Sequence, residues 1–190
     1  MIVPVVEGQS EERAMGVLMR RVLHELGVFE LQVARPFRVK RQRVVREGEL
    51  ERSIIQAERA RAGASSVFIV LDADDDCPAD LSLILLQRAR AQTDLAVRVV
   101  FPKVEIEAWI LAAVDSLRGI RGIRNDAQPP PDPEAIRDAK GALTRLMEDG
   151  RGYVATDDLP ALVDALDLGL TEARSPSFAK FCRDVTSLAQ

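Results

Sequence analysis

Histidine is nearly missing from this chain: His24 stands alone among 190 residues. Acid–base chemistry built on paired imidazoles therefore has little support. His24 sits between Leu23 and Glu25 in an amphipathic stretch, which suits a surface or boundary residue. Cysteine is almost as scarce. Cys77 and Cys182 form neither a metal-ligand spacing nor a disulfide framework, which points to a reducing cytoplasm. No apolar run approaches the roughly 18 to 20 residues that cross a bilayer, so no membrane partner is expected. The first residues, Met1 to Glu7, lack the basic segment and small-residue cleavage site of a secretory signal and read as a strand. No Gly-x-x-x-x-Gly-Lys loop occurs, which excludes nucleotide hydrolysis by that route. Aromatic residues make up only 4% of the chain, and no internal repeat or low-complexity segment is found.

What remains is the composition of an ordinary folded domain, 47% hydrophobic and 29% charged, with a net charge of −4. That balance argues against indiscriminate coating of nucleic acid, but a local basic patch exists. Arg35, Arg38, Lys40, Arg41, Arg43 and Arg46 fall in one stretch without an acid among them. Phosphate is the usual partner of such a patch, and a solvated basic edge is the bland alternative.

Continuous apolar runs at Ile2–Val6, Val67–Leu71 and Leu95–Phe101 predict buried parallel strands, and Leu31–Val39 predicts a weaker one. Between them, Glu11–Leu26, Glu49–Ala62 and Ala79–Ala91 carry helical spacing. The expected fold class is α/β, a mostly parallel sheet flanked by helices over residues 1–117. A helical extension over 118–190 follows, packed on that sheet. Helices are expected at Glu105–Leu117, Pro133–Met147, Asp157–Leu166 and Ser175–Leu188, with Trp109 in the core. Ser175 reads as an N-cap ahead of Pro176.

Carboxylates follow the strands. Glu7 and Glu11 come after the first, Asp72, Asp74, Asp75 and Asp76 after Leu71, and Glu105 and Glu107 after Phe101. In a parallel sheet those strand ends share one rim, where ligands of open α/β folds bind. So many acids in one place need a cation, and hard oxygen donors select Mg²⁺ or Mn²⁺. Each piece also has a plainer use, since Gly8 permits a tight turn and Ser10, Glu11 and Glu12 suit a helix N-terminus. An EF-hand is excluded: counted from Asp72, position six is Cys77 and position twelve is Leu83. An aspartyl phosphatase, with Asp72 as nucleophile and Asp74 as general acid, is a rival that leaves Glu7 without a role.

The segments VEGQSEE, VFIVLDADDDCP, VEIEAWILA and ARSPSFAKF, in that order over nearly the full length, resemble a small prokaryotic Toprim-like family of unknown function. Val6-Glu7-Gly8 and Asp72-Ala73-Asp74 resemble the Glu and Asp-x-Asp motifs of the Toprim fold, and Glu11 is similar to an extra acid of the OLD-type nucleases. The resemblance implies a Mg²⁺-dependent phosphoryl-transfer site that cuts nucleic acid. Glu7 would then be a metal ligand or general base. Asp72 and Asp74 would hold the metal with support from Glu11, and Glu105 and Glu107 would complete a second metal position. The stretch Arg35–Arg46 would bind the substrate backbone, and Lys103 and Lys180 are further candidates for a phosphate contact. By analogy with OLD-type proteins, a separate ATPase partner in a phage-defence system is one expected context. A non-catalytic partner of such an ATPase is the alternative. The C-terminal helices are a candidate surface for that partner or for a dimer.

Overall fold

Three runs rich in branched aliphatic residues form most of the sheet. In the computed structural model, which describes residues 1–40, 44, 46, 48–60, 62–74 and 76–190, these are β1 (Ile2–Val6), β3 (Ser66–Val70) and β4 (Ala96–Val100). Every residue of β1 and β3 is buried, as expected of a parallel strand covered on both faces. A two-residue strand β2 (Phe37–Arg38) completes an all-parallel sheet in the order β2-β1-β3-β4.

Eight α-helices flank the sheet among the described residues: α1 (Gln9–Glu25), α2 (Glu49–Arg59), α3 (Pro78–Arg90), α4 (Glu107–Ala112), α5 (Ala139–Arg145), α6 (Ala155–Ala165), α7 (Leu168–Arg174) and α8 (Pro176–Ser187). The period-two alternation of the strands divides the core. Val3, Val5, Val67, Ile69, Val97 and Val99 pack with Leu50 and Ile54 of α2 and Leu81 and Leu85 of α3. Ile2, Val6, Phe68, Val70 and Val100 face the larger cluster, which takes in α1, α4, α6 and α8. That cluster includes Trp109, Leu143, Leu162 and Phe181, so one core spans both the sheet and the C-terminal helices. Trp109 packs edge-on against Phe178 with ring centroids 5.2 Å apart, and Phe68 meets Phe181 at 5.5 Å. Such pairs add about 0.5–1.5 kcal/mol each beyond their buried area.

Four sequence expectations need correction. The strand expected at Leu31–Val39 is reduced to Phe37–Arg38 and an isolated bridge between Ile2 and Val33. Pro36, which has no N–H to donate, interrupts it at the sheet edge. The helix expected at Glu105–Leu117 starts at Glu107, and after Ala112 the chain tightens into a 3-10 turn at Val114–Leu117. The helix expected at Pro133–Met147 is two pieces. Asp132 caps a 3-10 turn at Pro133–Ala135, and Asp138 accepts from Gly141 N–H to start α5 afresh. Helix α7 was not expected at all; Asp167 caps it by accepting from Leu170 N–H. Ser175 does cap α8, accepting from Phe178 N–H. Among the described residues no helix is long and apolar enough to cross a membrane.

Candidate functional site

The chain leaves β1 toward β2 on one side and then returns to β3 on the other, so the direction of winding switches between β1 and β3. Crevices in open α/β sheets form outside the carboxyl ends of the strands at such a point. Val6 pairs with Val70, which sets Glu7 and Asp72 just beyond the ends of adjacent strands.

On the β1 side, Gly8 is the N-cap of α1. Glu11 folds back to accept from Gly8 N–H, and Ser10 Oγ donates to Glu11 Oε1 at 3.1 Å. A Cβ on Gly8 would collide with Glu11 Oε2, so the glycine is what permits that fold-back. Glu11 thus serves the helix start, and it also adds a negative charge to the rim.

On the β3 side, two loops run alongside each other. Ala73 N–H donates to Pro102 O at 3.1 Å and Asp74 N–H to Val104 O at 3.2 Å, while Asp72 Oδ1 accepts from Ile106 N–H at 2.9 Å. Asp74 and Val104 both adopt left-handed backbone, with φ of 51° and 67°. For a β-branched residue this is an outlier costing on the order of 1–3 kcal/mol, and such strain collects at functional sites. Asp74 itself is exposed and borders a cavity of about 170 Å³ with Val104, Glu105 and Arg137.

Glu105 and Glu107 behave differently from each other. Glu105 precedes α4, and both its oxygens are engaged: Oε1 accepts from Lys140 Nζ at 2.7 Å, and Oε2 from the Ala139 and Lys140 amides at 3.0 and 3.3 Å. Glu107, in the first turn of α4, is fully buried. Its Oε1 accepts from Tyr153 Oη at 3.1 Å. Lys140 Nζ lies 3.4 Å from Oε2 without the alignment of a hydrogen bond, which leaves Oε2 a buried carboxylate oxygen with no hydrogen-bond partner among the described residues.

The electrostatics bind these groups into one cluster. Asp72 is pushed well above the usual aspartate range, first by burial of its carboxyl and then by the charges of Glu107 and Glu11; Lys140 opposes the shift and Glu7 adds to it. Glu107 is likewise raised by burial, with Lys140 pulling the other way. Burial disfavours the Lys140 ammonium, but Glu107, Glu105 and Asp72 outweigh it and hold the proton on more tightly. Burial and the neighbouring Glu107 keep Tyr153 protonated. Acids from the ends of β1 and β4 therefore act on one carboxyl at the end of β3.

Among the described residues, no three His, Cys, Asp or Glu side chains are placed to hold a metal ion as they stand. Ligation therefore requires side-chain shifts. The donor chemistry fits a hard cation all the same, because the donors are carboxylates and Glu107 Oε2 is a buried oxygen without a hydrogen bond among the described residues, its nearest cation being the Lys140 ammonium.

The basic stretch is only partly placed. Arg35 pairs with Glu12 at 2.7 Å. Arg38 and Lys40 are exposed at the carboxyl end of β2, beside the β1 rim, and Arg46 is exposed as well. Arg41 and Arg43 lie outside the described residues, as does Asp75. Lys103 and Lys180 line a shared cavity, but Lys180 Nζ is tied to Val99 O at 2.9 Å and to Asp184 Oδ2 at 2.5 Å. Lys140 and Tyr153 are the participants that sequence reasoning missed. Neither adjoins an acid motif in the chain, and tertiary packing alone brings them to Glu107.

Fold and site together define a parallel α/β protein with an acidic cluster at its winding switch point. The chain belongs to the family described as Domain of unknown function (DUF4276), whose model matches residues 6–186. No curated protein and no solved structure matches the chain.

Proposed function

We propose that the rim is a Mg²⁺- or Mn²⁺-dependent phosphoryl-transfer site of the Toprim type that cuts nucleic acid. One observation carries this reading: Asp72, at the switch point, is crowded by Glu7, Glu11 and Glu107 although like charges repel. Natural proteins keep such electrostatic cost where function needs it.

Glu7, Asp72 and Glu107 are the residues that would hold the cation. A divalent ion there supplies Lewis-acid activation of a phosphoryl oxygen and a bound water of lowered pKa. The remaining roles belong to the chain. Ile106 N–H fixes one oxygen of Asp72, and Tyr153 fixes one oxygen of Glu107. Lys140 offsets the surplus negative charge and anchors Glu105, so that a phosphodiester can approach. Arg38 and Lys40 stand where they can bind backbone phosphates next to the β1 end. In this reading Glu7, the acid at the head of β1's exit, doubles as proton acceptor for the attacking water.

A second reading rests on Lys140. Its ammonium already stands among Glu105, Glu107 and Asp72, and ion-pair networks of this kind also occur for purely structural reasons. On that reading the protein is a non-catalytic partner or regulator, for instance of a separate ATPase.

Incubation with supercoiled plasmid separates the two. The expected result is nicking with Mn²⁺ or Mg²⁺, none in EDTA, and loss of at least a hundredfold in Glu7→Gln and in Asp72→Asn. Nicking that persists in both variants would overturn the catalytic reading, and absence of nicking under every metal condition would favour the partner.

A further inference from the structure

A cavity of about 490 Å³ opens on the other side of the loop that carries the acids, between the end of β4, the start of α3 and the start of α8. Its walls divide by chemistry. Pro78, Leu83, Phe101 and Pro176 make an apolar side, and Lys103 and Arg183 are cationic. Neither of these two cations makes a hydrogen bond or ion pair among the described residues. Lys180 also lines the cavity but is held by Val99 O and Asp184. The one acid among the described residues of the lining, Glu134, is 6% exposed, and its Oε1 accepts from Ser175 Oγ, Ser177 Oγ and Ser177 N–H. That engagement holds its charge at the start of α8. Leu83, on α3, is 61% exposed and presents an apolar side chain to this cavity. The loop Phe101–Glu105 joins cavity and rim: Lys103 lies two residues before Glu105, and Pro102 and Val104 accept from Ala73 and Asp74.

We propose that this cavity seats one nucleotide unit of a single-stranded nucleic acid, with its flanking phosphates on Lys103 and Arg183 and its base against the Leu83 wall. The volume falls in the range of small-ligand sites. Paired free cations beside an apolar wall complement a phosphate-flanked base. Continuity with the acidic rim places that nucleotide next to the one acted upon. The inference deepens the reading of the rim as a nucleic-acid site and rests on it for that neighbourhood, but binding is measurable without cleavage.

The test is fluorescence anisotropy of a short labelled oligothymidylate with the full chain in EDTA, across a salt series. Lys103→Gln combined with Arg183→Gln is expected to weaken binding about tenfold. It should also reduce the slope of log affinity against log salt by about 1.4, two phosphates at ~0.7 each. Both side chains are exposed, so an unchanged melting temperature is expected. Arg59→Gln, an exposed cation on α2, should change neither quantity measurably. Leu83→Ser, which removes the apolar contact without adding charge, should weaken oligothymidylate but not an abasic strand of the same length. Wild-type protein that binds no oligonucleotide would overturn the inference, as would an unchanged slope in the double variant, an equal loss in Arg59→Gln, or equal effects of Leu83→Ser on both strands. Slope loss without nicking under any condition keeps this cavity and discards the catalytic rim. Metal-dependent nicking with unaltered binding in the double variant does the reverse.

Discussion

Three buried acids of this protein invite comparison, because two draw three hydrogen-bond donors each and the third draws one. Asp158, 1% exposed, accepts from Arg121 Nε at 3.1 Å, Arg151 Nη2 at 2.7 Å and Val154 N–H at 2.9 Å, closing the start of α6. Glu134 takes three donors at the start of α8, and the same Ser177 hydroxyl accepts from Trp109 Nε1 at 2.8 Å. Glu107 is as deeply buried, yet its Oε2 has no hydrogen-bond partner among the described residues, only the Lys140 ammonium 3.4 Å away, and it stands in the field of Asp72. The C-terminal helices bury acids to build structure, and there three donors converge on each. The rim buries an acid and leaves it partly unanswered, which stability alone does not explain.

The sharpest way to break this comparison is to remove an answered acid. Asp158→Ala removes three hydrogen bonds to a charged acceptor and uncaps α6; at about 1 kcal/mol for each bond, discounted because Arg121 and Arg151 are partly exposed, the cost is about 3 kcal/mol. The expected fall in melting temperature is roughly 6–12 °C for a chain of this size. A loss under 1 kcal/mol by denaturant titration would mean that saturation of a buried acid is no mark of a structural role here.

A smaller effect is expected from the cation. If Glu7, Asp72 and Glu107 share a divalent ion, Mn²⁺ at a hundred times its dissociation constant stabilises the fold by about 2.7 kcal/mol. Calorimetry should show the melting temperature rising with Mn²⁺ in the wild type and remaining flat in Asp72→Asn. No rise in the wild type would favour Lys140, rather than a metal ion, as a counter-charge of the cluster.

Much of this contrast was legible in the residues, and the illegible part has a physical cause. Ile2–Val6, Val67–Leu71 and Leu95–Phe101 announce buried strands because apolar runs of that length suit a sheet covered on both faces. Glu7, Asp72 and Glu105 could be assigned to one rim because parallel strands end on the same side. The partners of those acids could not be assigned. Lys140 reaches Glu105 across 35 positions from a helix whose start is set by Asp138, and the expected single helix from Pro133 hid that restart. Periodicity reports the face of a helix and is silent about what the face meets. The basic stretch looked uniform as a string, but Arg35 is paired with Glu12 while Arg38 and Lys40 remain exposed beside the rim. Lys103 and Lys180 looked equivalent too, and packing separates them, since only Lys180 is tied to Val99 O and Asp184.

The smallest expected effect is the most telling, because its sign runs against the usual rule that substitutions destabilise. Asp72 has its folded pKa raised above the ordinary value of 3.8. Between 3.8 and that raised value the folded state binds more protons than the unfolded one, so stability falls as pH climbs through the window. Above it the ionised carboxyl remains a standing cost, set by burial and by Glu107 and Glu11. Asp72→Asn keeps the size of the side chain and an oxygen that can accept from Ile106 N–H while removing the charge. In metal-free buffer at neutral pH this variant should therefore be more stable than the wild type by about 1 kcal/mol, a rise of roughly 2–4 °C in melting temperature. At pH 3, where the wild-type carboxyl is protonated in both states, the two should melt together. The same change at Asp158 should destabilise, because its neighbours are cations. If Asp72→Asn also lowers the neutral-pH melting temperature, Asp72 belongs with the answered acids, and the electrostatic cost that marks the rim is absent.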